Sequence, residues 1–155
     1  MSRRHLIAVG VALASMVIAL AQPLWIRSTG DEVALSLRPV DPLSFFRGNY
    51  VDLAYVVDIP APLEAEPGDV AYVVFDDARP AHAVRTTIGR PELMEGETCL
   101  RGKVSFDRGI SFPAIEQFFV TSEEGSRLER ELSSMVGIVR AVGSCRAVLV
   151  GIEPL

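Results

Sequence analysis

Lysine is nearly missing from this chain: Lys103 is the only one in 155 residues. It stands on the polar side of its segment, beside Arg101. A serine/lysine hydrolase such as a type I signal peptidase needs a buried lysine of lowered pKa next to a serine nucleophile, so that chemistry has no candidate base here. Histidine and cysteine are equally scarce, with only His5, His82, Cys99 and Cys145. That is too few, too far apart, for a Cys/His zinc centre. His82 follows Pro80-Ala81 in a loop and has no evident partner. There is no Gly-x-Ser-x-Gly elbow and no Walker loop. Asp76-Asp77 and Glu123-Glu124 are adjacent pairs whose side chains diverge on a strand or helix, so they read as solvated charges. The pairs Tyr50/Tyr55 and Phe118/Phe119 read as core and strand residues. No catalytic residue, metal site or cofactor is indicated, and there is no internal repeat or low-complexity tract.

What the chain does have is one long apolar run. Leu6 to Ala21 carries no charge and a single polar side chain, Ser15, and follows the basic leader Met1-Ser2-Arg3-Arg4-His5. A basic leader before an apolar run marks an export signal or signal anchor. Residues 6–26 are long enough to cross a hydrocarbon core of about 30 Å, with Trp25 at the outer interface, where indole is favoured. The retained anchor is the preferred reading. Small residues at Ala19-Leu20-Ala21 keep cleavage before Gln22 as the alternative. The division expected is a membrane segment over residues 1–27 and one domain over residues 28–155. Arg3 and Arg4 hold the N-terminus in the cytoplasm, which places the domain outside, on a single pass through the cytoplasmic (inner) membrane. Without those two arginines, 13 of the 15 basic residues remain against 20 acidic ones, a net charge of −7 from Arg27 onward. That charge argues against nucleic acid and against general adhesion to anionic headgroups. In an exported domain, Cys99 and Cys145 are expected to pair. The loop so closed, about 47 residues, corresponds to roughly 4 kcal/mol in the chain-entropy account.

The domain reads as strands and turns. Glu32 to Arg38 alternates, with Val33, Leu35 and Leu37 on one side. Pro39-Val40-Asp41-Pro42 breaks it, and a loop is expected through Leu43 to Asn49. Tyr50 to Asp58 is expected to be one strand with Val51, Leu53, Tyr55 and Val57 on its inner face. Val70 to Phe75 is apolar on both faces, as an interior strand is. Ala83 to Ile88 is a weaker strand, ended by Gly89-Arg90-Pro91. Leu100, Val104 and Phe106 share a face across Gly102. Ile115 to Val120 is a short aromatic strand. Ser126-Arg127-Leu128-Glu129 is a capping box opening a short helix over Arg127 to Ser133. Met135 to Val142 and Cys145 to Ile152 flank Gly143-Ser144, a hairpin pattern with the glycine at positive φ. The fold class expected is therefore mainly β, an antiparallel sandwich or small barrel of about eight strands with one short α-helix, preceded by an N-terminal transmembrane helix.

The segment Arg47-Gly48-Asn49-Tyr50-Val51-Asp52-Leu53-Ala54-Tyr55 resembles the signature of the GDYXXLXY family of bacterial and archaeal proteins. Gly48, Tyr50, Leu53 and Tyr55 match it, and Asn49 replaces the family's aspartate. Pro39-Val40-Asp41-Pro42 before Arg47 resembles the usual lead-in. Ile115-Glu116-Gln117-Phe118-Phe119-Val120, then Glu124-Gly125 and Glu129, is similar to a second family block. The resemblance spans most of the domain and supports the architecture; it supplies no reaction. It implies a neighbouring multi-pass membrane protein as partner. Read from the residues alone, Gly48 and Asn49 suit a turn, Leu53 and Tyr55 point inward, and Tyr50 faces outward. The segment is thus chiefly architectural, with Arg47, Asn49 and Tyr50 as the candidate recognition surface. Replacing aspartate by asparagine removes a general base. Two functional classes follow, a membrane-anchored accessory or binding subunit and an enzyme whose site is not legible; a cleaved, secreted domain is a further alternative to the anchored form.

Overall fold

A computed structural model describes residues 3–38, 46–47, 50–120 and 131–155. It is mostly strand, in three antiparallel sheets, with one long helix at the N-terminal end.

The helix, α1 (Arg3–Thr29), contains Ile7–Thr29, a stretch long and apolar enough to cross a membrane. At 1.5 Å per residue its length is about 40 Å. Apolar side chains such as Val17 and Ile18 are exposed along most of its length, as a helix solvated by lipid would have them, and Ile26 near its end is buried. Ser15 turns its hydroxyl back onto the Val11 carbonyl at 2.7 Å, which satisfies the one polar group in the run. The last turn is closed by Ser28 and Thr29 hydroxyls, both donating to the Trp25 carbonyl. One residue, Gly30, then separates the helix from the first strand. Its N–H donates to the Ile26 carbonyl at 2.8 Å. A Cβ at Gly30 would lie 2.7 Å from the Ile26 oxygen and 2.8 Å from the Ala141 oxygen, so only glycine fits this junction.

The first sheet has the order β11 (Ala147–Pro154), β10 (Met135–Ala141), β1 (Asp31–Arg38), β4 (Ala54–Tyr55). The second consists of β2 (Phe46–Arg47), β3 (Tyr50–Asp52) and β9 (Gln117–Phe119). The third runs β6 (Ala83–Thr87), β5 (Val70–Phe75), β7 (Thr98–Val104), β8 (Ile110–Ser111). One cluster takes residues from all three: Val33, Leu35 and Val139 from the first, Val51 from the second, Val73, Phe75 and Leu100 from the third. The alternation in β1 works as expected, and Ala34 is buried too, in a separate cluster with Val136 and Ile138 on the sheet's other side. β5 lies between β6 and β7, as its two apolar faces require.

A network of ion pairs starts at the helix-proximal end and crosses the first sheet. Arg140 reaches Glu32 at 2.8 Å and the Gly30 carbonyl at 3.0 Å, and Arg79 joins Glu32 to Glu153. Cys99, on β7, is disulfide-bonded to Cys145, with Cα atoms 4.8 Å apart, which ties the β10–β11 turn to the third sheet.

Several expectations need correction. The strand expected over Tyr50 to Asp58 is two short strands: Leu53 leaves the ladder, and its N–H goes to the Glu116 carbonyl at 2.7 Å. Phe46–Arg47 is a strand where a loop was expected, and only Gln117–Phe119 of the Ile115 to Val120 run is strand. Phe106 is 95% exposed, not inward, because β7 ends at Val104 and the Ser105 N–H to Gly109 carbonyl bond turns the chain. In the last hairpin the left-handed residue is Cys145 (φ 59°), not Gly143, since the turn closes through the Cys145 N–H to the Val142 carbonyl. His82 has a partner, Asp76, at 3.2 Å, and Asp76 also accepts the His82 and Ala78 N–H groups, so it organises its loop. Most of the short helix expected over Arg127 to Ser133, with Ser126 and Glu129, lies outside the described residues; Leu132–Ser134 is a single 3-10 turn.

Candidate functional site

The two motif blocks are partners in space. β3 and β9 pair with Tyr50 opposite Phe119, Val51 opposite Phe118 and Asp52 opposite Gln117. On its other edge β3 pairs β2, with Arg47 opposite Tyr50. Gly48 and Asn49, between those two, lie outside the described residues. Arg47 and Tyr50 are therefore opposite each other on the paired strands β2 and β3. Val51, Leu53 and Tyr55 are all buried, as the alternation requires, although the chain crosses from the second sheet to the first at Leu53.

Tyr55 is the joint between the blocks. Its hydroxyl donates to the Ile115 carbonyl at 2.6 Å in a buried position. Its ring meets Phe112 edge-on, with centroids 6.1 Å apart and planes at 77°. The far side of the ring lies over Gly137 of β10, where an added Cβ would stand 3.0 Å from Cε1. Burial pushes the Tyr55 phenol well above the usual tyrosine range, and the negative charge of Glu116 adds to this.

Glu116 is the second member. Its Oε1 accepts the Phe112 N–H at 2.7 Å, and its backbone carbonyl receives the Leu53 N–H. Burial raises its pKa; the Phe112 hydrogen bond opposes the shift, and the nearby Asp52 carboxylate adds to it. Asp52, Ala54, Pro113, Glu116 and Gln117 line an open cleft of about 420 Å³. The arrangement brings two carboxyl groups to one open cleft. Among the described residues no group of three or more His, Cys, Asp or Glu could hold a metal ion.

Leu53 and Tyr55 are thus in the place the sequence reading assigned. Glu116, Asp52 and Gly137 were not singled out by that reading. The available signal was a carboxylate, next to Gln117, inside the mainly apolar and aromatic run Ile115 to Val120. Cys99 and Cys145 are not part of this cleft; Cys145 lines a different groove, where the end of α1 meets the domain.

The family model described as GDYXXLXY protein matches residues 12–152, from within α1 into β11. No curated protein and no solved structure matches the chain.

Proposed function

Starting from the premise that this chain belongs to the GDYXXLXY family, we propose that it is a membrane-anchored accessory subunit that binds a partner in the membrane. One crossing of the cytoplasmic membrane holds its β domain outside the cytoplasm. The observation that carries the reading is the junction at Gly30: a helix long and apolar enough to span a bilayer enters β1 after one residue. Arg3 and Arg4 ahead of the run support a cytoplasmic N-terminus. The Cys99–Cys145 bond is chemistry of an oxidising compartment and supports the same orientation.

Support for a binding role comes from two apolar side chains held in the open, Phe106 at 95% exposure and Leu63 at 89%. Arg108 fixes the loops that carry them, donating to the Ala61 and Pro62 carbonyls at 2.8 Å each. Apolar groups gathered into one exposed patch mark contact surfaces, and Arg108 ties the loop of Leu63 to the turn that carries Phe106. The partner expected is a multi-pass membrane protein.

The test uses the full chain. A phosphatase fused after Leu155 should be active, and the mature N-terminus should lie ahead of Gln22. A tagged chain extracted in mild detergent should retain a membrane protein, and the pair Leu63→Ser and Phe106→Ser should release it without lowering the melting temperature. A silent phosphatase overturns the orientation; a mature start at Gln22 overturns the anchor; retention by the double variant overturns this contact surface. A second reading, an enzyme, rests on Glu116 in its cleft. Glu116→Gln should then abolish turnover while partner binding persists.

A further inference from the structure

A groove of about 380 Å³ lies where the helix meets the domain, within the range of small-ligand clefts. Gln22, Pro23 and Ile26 of α1 form one wall. Leu100, Phe112 and Ile115, all buried core residues, form its apolar floor. Arg101 and Arg146 also line it, with Ala114 and Ala147. Neither arginine side chain has an ion-pair or hydrogen-bond partner among the described residues, whereas Arg79, Arg85 and Arg140 are all paired with glutamates. Two arginines with no such partner among the described residues thus flank one apolar trough, on a domain of net charge −7.

We infer that this groove holds one anionic phospholipid, with an acyl chain along the apolar floor and the phosphate between Arg101 and Arg146. The inference rests on the membrane-anchor reading. The wall formed by Gln22, Pro23 and Ile26 belongs to the last two turns of the stretch that would leave the bilayer, so lipid is the solvent at its mouth. Ile26 is only 4% exposed while its neighbours Leu24 and Trp25 stay open, so the helix turns one face to the domain and the other to lipid. Guanidinium groups match phosphate oxygens in planar, two-point geometry and are less strongly hydrated than ammonium groups, which suits a partly apolar setting. The bulk of the domain repels anionic headgroups, so binding is confined to this one place, with a stoichiometry of one.

The full chain, purified in mild detergent and titrated with phosphatidylglycerol or phosphatidylcholine, should show by native mass spectrometry one saturable phosphatidylglycerol and weaker phosphatidylcholine binding. The double variant Arg101→Gln and Arg146→Gln should bind phosphatidylglycerol about 30-fold more weakly, at roughly the strength expected per basic group near an anionic surface. Ala114→Trp, which fills the groove from its rim, should block both lipids with both arginines intact. Resistance of each variant to carbonate extraction reports the anchor separately. An extraction-resistant chain that binds no lipid, or whose double arginine variant binds phosphatidylglycerol like the parent, overturns the lipid site and leaves the anchor standing. A chain freed by carbonate, with a mature start at Gln22, overturns the anchor and the inference together. A protein segment occupying the groove, seen as crosslinking from Ala147 to a partner in place of lipid, also overturns it.

Discussion

Removing one oxygen atom from Tyr55 tests whether the two motif blocks are fastened through it. In Tyr55→Phe the ring, its edge-on contact with Phe112 and its seat on Gly137 all remain. What is lost is the 2.6 Å bond to the Ile115 carbonyl. Tyr55 is 6% exposed, so water has little access to replace the donor, and the carbonyl is left without this partner. An unsatisfied buried group costs about 1–3 kcal/mol. For a domain of this size that is a fall of roughly 3–5 °C in melting temperature per kcal/mol. Near-ultraviolet circular dichroism of the full chain in detergent would follow the transition. A pH series gives a second, independent readout. The folded-state pKa of the phenol is raised above its unfolded value near 10, so the neutral phenol's contribution is complete below about pH 10 and is lost as pH climbs beyond it. Parent protein should weaken above that point, and Tyr55→Phe should weaken less. A variant that melts with the parent at pH 7 and keeps the same alkaline slope would refute the fastening role.

Glu116 gives an acid-side counterpart. Its pKa is raised in the folded state, so its contribution is full below about pH 4 and declines as pH rises through the folded value. Glu116→Gln keeps an acceptor for the Phe112 N–H, and its melting temperature should change less between pH 4 and pH 7 than that of the parent. Leu53→Ala removes a core side chain and should cost about 2–5 kcal/mol in urea titration; a parent-like midpoint would contradict its burial. Native protein should resist thiol alkylation, and the pair Cys99→Ser and Cys145→Ser should lose roughly 4 kcal/mol; label uptake without reductant would contradict the disulfide.

Which parts of this arrangement could be read from the residues has a physical pattern. β1, β5, β6, β7 and β10 were legible because each is long enough to show a period or a continuous apolar run. β2 and β8, of two residues each, are too short to show one. The segment after Tyr50 looked like one strand because Val51, Leu53 and Tyr55 stay buried while the backbone changes partners, and side-chain alternation carries no record of that change. Phe106 continued the inward pattern of Leu100 and Val104 on paper, but the pattern has meaning only as far as the strand runs. In the site, Leu53 and Tyr55 were legible from alternation. Glu116 was not, because its setting depends on a turn that aims the Phe112 N–H at its carboxylate and on Asp52, brought to it by pairing between blocks more than 60 residues apart. The glycine of the Gly143-Ser144 pair was a sound choice for positive φ, yet the disulfide-bonded Cys145 takes that conformation.

The placement of β1 has a consequence for how the protein is made. β1 follows the helix directly, so it is the first strand to leave the ribosome, yet its main partner is β10; Arg140, which bonds the Gly30 carbonyl, stands 110 residues downstream. At synthesis rates of about 5–20 residues per second, β1 waits roughly 5–20 s for its neighbour. During that interval Val33, Ala34 and Leu35 form an unpaired apolar edge beside a helix that is already complete. β5 and β6, by contrast, pair across a short loop and close as soon as they emerge. The third sheet should therefore form first and the β1–β10 seam last. Slowing elongation after Phe75 should lengthen the time β1 spends open to chaperones and proteases without changing the stability of the finished fold.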